Sequence, residues 1–114
     1  MTQRESVGGD AKQPQYMVLS QDEMDEMVVA KLLAEERDLF AHRLTKERLE
    51  AMLPRLPDGD YKQHCERLLD STNARIREVQ AIIDATLPQL PDETRRAAAL
   101  DRIRAKEEAA RAAR

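Results

Sequence analysis

From Leu19 to Ile103 the apolar side chains recur every three or four residues, which is helical spacing rather than the alternation of a strand. The clearest run is Cys65, Leu69, Thr72, Ile76, Val79, Ile83 and Thr86. It steps by four and three residues, as a heptad seam does. Tyr61, Leu68 and Ile82 widen that stripe on one side. The two threonines weaken the seam and favour one register over others.

Residues 20–53 are patterned differently. Placed at about 100° intervals, Met24, Val28, Leu32, Leu39, Leu49 and Leu53 share one side, and Val29, Leu33, Phe40 and Leu44 fall roughly opposite. A helix in an isolated hairpin needs one apolar stripe. A second stripe needs a second cover.

Local signals bound the helices. Ser20 followed by Glu23 is a capping box, and Leu19 with Met24 matches a hydrophobic staple. Asp22, Glu23, Asp25 and Glu26 sit where the helix dipole favours negative charge. No Gly or Pro follows until Pro54, so the first helix runs from about 20 to 53, roughly 50 Å at 1.5 Å per residue. Asp60 with Gln63 predicts a second N-cap and a helix over 61–87. Asp92 predicts a third, over 93–113.

The two breaks resemble each other. Leu53-Pro54-Arg55-Leu56-Pro57-Asp58 and Leu87-Pro88-Gln89-Leu90-Pro91-Asp92 lie 34 residues apart. A tetratricopeptide array has that period but holds two helices in it, and no breaker divides 61–87. The breaks therefore read as twin turns, each stopping a helix with Pro, burying a central Leu and restarting with Pro-Asp. The fold class is all-α: an elongated, coiled-coil-like antiparallel hairpin plus a shorter third helix. Residues 20–114 form the helical domain. Residues 1–19 form a flexible tail or partner-docking arm. The tail is polar apart from Tyr16-Met17-Val18-Leu19, which leads into the first helix or adds a strand to a partner's sheet.

Composition sharpens the question of cover. Val, Ile, Leu and Phe make up 23 of the 114 residues and Ala another 16, near the lower bound for a chain that folds around its own core. After Leu90 the third helix has only Leu100 and Ile103 among its alanines. It cannot cover a long helix well. The expected partner interface is therefore Val29, Leu33, Phe40 and Leu44, with Tyr16 and Val18 of the arm.

Charge separates along the chain. Residues 1–60 hold eight basic and thirteen acidic side chains; residues 93–114 hold seven basic and four acidic. That polarity suits head-to-tail or antiparallel contacts between copies. Arg95, Arg96, Arg102, Arg104 and Arg111 are candidate phosphate contacts. Against nucleic acid stand interleaved acids, the absence of a stacking aromatic in that helix and a net charge of −3.

Little else suggests chemistry. His64 and Cys65 are helix neighbours about 100° apart, so they cannot form a nucleophile–base pair. A lone cysteine with two histidines offers no zinc set and no internal disulfide. The acidic clusters read as caps and a solvated face rather than acid–base or hard-metal sites. No phosphate loop, Gly-x-Ser-x-Gly, His-Glu-x-x-His or Glu-x-x-His occurs. No catalytic residue, cofactor or metal is expected. Neither a signal peptide nor a membrane span is evident, so the expected location is the cytoplasm or a particle assembled there.

These features predict a non-enzymatic assembly subunit that joins copies of itself or a larger complex, such as a minor phage-particle component. The alternatives are a small helical adaptor or inhibitor whose acidic face meets a basic surface, and a nucleic-acid binder acting through the third helix.

Overall fold

The computed structural model describes residues 18–113. Three helices account for nearly all of them: α1 (Gln21–Met52), α2 (Asp60–Thr86) and α3 (Glu93–Ala112). The chain is all-α, with no strand among the described residues, and each helix lies close to its expected bounds. The tail up to residue 17, including Tyr16, lies outside the described residues.

The ends of the helices follow local chemistry. Ser20 Oγ accepts from the Glu23 backbone N–H at 3.1 Å, and Glu23 Oε1 accepts from the Ser20 N–H at 2.9 Å. Both bonds of the capping box are made. Asp92 Oδ1 caps α3 by accepting from the N–H groups of Thr94 and Arg95 at 2.9 and 3.2 Å. The cap of α2 differs from expectation. Gly59 occupies the N-cap with φ 149°, and Asp60 is the first helical residue. Side chains with a Cβ rarely adopt that φ, so glycine lets the chain turn abruptly into α2. Asp60 then acts through its charge in the first turn.

Each Leu-Pro turn forms a short 3-10 segment, at Leu53–Arg55 and Leu87–Gln89. The Leu56 N–H bonds the Leu53 carbonyl at 3.2 Å, and the Leu90 N–H bonds that of Leu87 at 3.1 Å. The twin geometry ends in unequal burial. Leu90 is 2% exposed, whereas Leu56 is half-buried. Leu90 sits beneath α1 and α3 with Val29 and Ala99. Leu56 lies in the turn that closes the hairpin, where α3 does not reach.

The hairpin core joins Leu32 and Leu39 of α1 to Val79 and Ile83 of α2, with Val28 and Ile76 at its edge. Thr72 and Thr86 are buried in the α2 seam because their hydroxyls donate to the carbonyls four residues back, Leu68 and Ile82, at 2.8 and 2.7 Å. That bond removes the cost of an unpaired buried hydroxyl. Asp38 ties the helices at the surface: it accepts from Arg75 and meets His42 Nε2, both at 3.0 Å.

Helix α3 packs on α1 and touches α2 little. Arg96 and Ala97 share a depression with Leu33 and Glu36, while Lys106 reaches back to Glu26. Arg95 in the first turn of α3 and Lys106 eleven residues later both reach the start of α1, at Asp25 and Glu26, so α3 lies across the N-terminal part of α1. The α2 helix, in contrast, runs back along α1, with Arg75 beside Asp38 and Ile83 beside Leu32. The result is an elongated body with extents of 79 × 34 × 30 Å.

Candidate docking surface

Two kinds of side chain can meet a partner here: apolar groups left bare and charged groups left unpaired. The second stripe of α1 supplies the first kind, and α3 divides that stripe in two. Val29 is buried with Leu90 and Ala99, and Leu33 packs against the same cluster beside Leu100 and Ile103. Val29 therefore lies within the subunit and Leu33 is half-covered, against the expectation that both face a partner. The physical reason is Ala99. It is fully buried, and its small side chain lets α3 approach α1 closely enough for two larger residues to complete the cover. A count of large side chains undervalues such a helix.

Beyond the start of α3 the stripe is bare. Phe40 is 69% exposed and Leu44 37%. They lie on adjacent turns of a helix whose other sides are taken by α2 and, further down, by α3. A bare phenylalanine in a chain with a single Phe is a costly surface group in water. Val18 is 77% exposed at the start of the described chain. Leu19, Met24 and Met27 line a shallow apolar groove of about 380 Å³ with Val28, Lys31 and Gln89. Leu19 and Met24, the expected staple, thus share one groove.

The charged candidates are mostly engaged. Arg95 donates through Nε and Nη2 to the two oxygens of Asp25 at 3.0 and 2.6 Å. Asp25 is buried and also accepts from Gln21 at 2.8 Å. Arg102 Nε donates to Glu26 at 2.8 Å, and its Nη2 lies 3.7 Å from Asp22. Lys106 completes the set on Glu26. Arg96 donates to the Leu90 carbonyl at 2.7 Å, holding the turn to α3. The Arg95 guanidinium holds the Asp25 carboxyl below its ordinary range, against the opposing effect of its burial. Lys106 and Arg102 do the same for Glu26.

The acidic first turns of α1 and the basic face of α3 therefore neutralise each other inside one subunit. Arg104 and Arg111 are exposed and make no ion pair with described residues. Of the five candidate phosphate contacts, three are held by protein partners. Sequence order hid this arrangement because Asp25 and Arg95 are 70 residues apart. The visible signal was complementarity: Asp22, Asp25 and Glu26 against Arg95, Arg102 and Lys106.

The remaining chemistry-bearing residues stay apart. Cys65 is a buried free thiol in the α2 seam, and His64 beside it points to solvent. Among the described residues, no group of three His, Cys, Asp or Glu is placed to hold a metal ion. No described helix is long and apolar enough to cross a membrane. Comparison with protein-family profiles, with curated proteins and with solved structures finds no match.

Proposed function

We propose that this protein is a non-enzymatic assembly subunit that joins copies of itself or a larger complex through the bare continuation of the second α1 stripe. One observation carries the reading: α3 covers this stripe at Val29 and Leu33 and leaves Phe40 and Leu44 open to water. A monomer gains nothing from an exposed phenylalanine, whereas an interface does. The adaptor and nucleic-acid readings draw less support. Both rely on charged faces that are paired with each other across α1 and α3.

The test is Phe40→Asp, followed by sedimentation and circular dichroism. Phe40 is mostly exposed, so the variant should keep its helical signal and melting profile while losing its assembled species. A purified wild-type chain that remains monomeric when alone and when mixed with extract from its native cell overturns the proposal. So does a Phe40→Asp chain that assembles as the wild type does.

A further inference from the structure

The bare face of α1 has a period of its own. Leu33, Arg37, Phe40, Leu44, Glu47 and Ala51 step by four and three residues, which makes a second heptad seam on the helix. All are exposed except Leu33, half-buried where α3 begins. Arg37 and Glu47 form no ion pair or side-chain hydrogen bond with described residues. They lie on one helix about 15 Å apart along its axis, at 1.5 Å per residue. They cannot meet within a chain.

They meet when the seam is laid against itself in reverse. We propose that α1 pairs with α1 of a second copy, antiparallel, about a two-fold axis passing between Phe40 and Leu44. Setting Phe40 opposite Leu44 of the second copy places Arg37 opposite its Glu47 and Leu33 opposite its Ala51. The axis repeats each pair, as an isologous contact requires. Large apolar groups occupy the centre, opposite charges flank them, and the small Ala51 falls at the rim where α3 begins. Outside the seam, exposed Glu36 and Arg48 stand opposite each other by the same rule. A parallel in-register pair would set Arg37 on Arg37 and Glu47 on Glu47, placing like charges face to face. The seam thus selects a second copy and one orientation.

This inference rests on the self-association reading, and the experiment separates the two. Sedimentation equilibrium is run on the full-length wild type, Arg37→Glu, Glu47→Arg and the double variant, with circular dichroism as the check on folding. Each single variant opposes two like-charge pairs and should weaken the dimer about tenfold. The double variant restores both pairs with the charges exchanged and should recover the dimer. A wild-type monomer overturns both this pairing and self-association. A wild-type dimer that neither single swap weakens, or that the double swap does not restore, overturns this pairing and leaves self-association standing. Disulfide trapping gives a readout independent of charge. Chains carrying Phe40→Cys mixed with chains carrying Leu44→Cys should link to each other faster than to their own kind. The native Cys65 is buried. Predominant like-with-like linkage overturns the antiparallel register.

Discussion

Arg95 of α3 grips Asp25 of α1 with a two-point bond, Nε to Oδ2 at 3.0 Å and Nη2 to Oδ1 at 2.6 Å. The planar guanidinium matches the carboxylate, so the pair fixes direction as well as distance. Asp25 is 5% exposed, yet Arg95 gives each of its oxygens a donor, and Gln21 adds a second donor to Oδ1. The pair locks α3 onto the start of α1.

Removing Arg95 therefore takes both of its donors from the Asp25 carboxylate and breaks the link between α3 and α1. Arg95→Ala should release α3 while the α1–α2 hairpin stays folded, because the buried core of Leu32, Leu39, Val79 and Ile83 is built from α1 and α2 alone. Native-state hydrogen exchange checks this. The α3 amides should exchange faster by about tenfold or more, and those around Val79 should keep their protection. Arg95→Lys keeps the charge without the fork and should fall between. Uniform loss of protection across all three helices would contradict this separation.

Acid should produce the same release without mutation. The carboxyls of Asp25 and Glu26 lie below their ordinary values of 3.8 and 4.5, chiefly through bonds from Arg95 and from Lys106 and Arg102 respectively. Glu23 is lowered too, mainly by the Ser20 backbone N–H. A lowered native carboxyl contributes stability that is complete above its unfolded value and is lost as pH falls through the native one. Detachment of α3 and fraying at Ser20 should therefore begin below about pH 4. Carboxyl chemical shifts followed by NMR check this. Asp25 and Glu26 should titrate below their ordinary values of 3.8 and 4.5. Titration of Asp25 at or above its ordinary value would remove the argument.

The twin turns offer a comparison within one chain. Leu90→Ala empties a site enclosed by α1 and α3 and should cost about 2–4 kcal/mol. Leu56→Ala removes the equivalent side chain from a half-covered site and should cost about 1 kcal/mol. Urea unfolding of both variants measures the difference. Equal losses would mean that the local turn, rather than α3, sets the value of the leucine.

The hairpin was legible because its signals are local or periodic. The α2 seam from Cys65 to Thr86 is a repeat that any helix displays on one face. Asp60 was misassigned as a cap for a conformational reason. An aspartate can cap in the β region, but the tight exit from Pro57 to α2 uses a φ of 149° that suits Gly59. The docking surface was half legible. Phe40 and Leu44 stand bare on the expected face, and Val29 and Leu33 do not.

Local chemistry fixes the extent of each helix to within a residue or two, and the helical period puts two apolar stripes on α1. Caps, prolines and helical periods act within a few residues, so no tertiary information enters. Long-range packing sets which part of the second stripe α3 takes and which charges pair. Those outcomes depend on groups 70 or more residues apart, and on a close approach that Ala99 permits by having almost no side chain. Because α3 lies across the N-terminal part of α1, it buries Val29, half-covers Leu33 and neutralises Asp25 and Glu26. The face bearing Arg37, Phe40, Leu44 and Glu47 stays open.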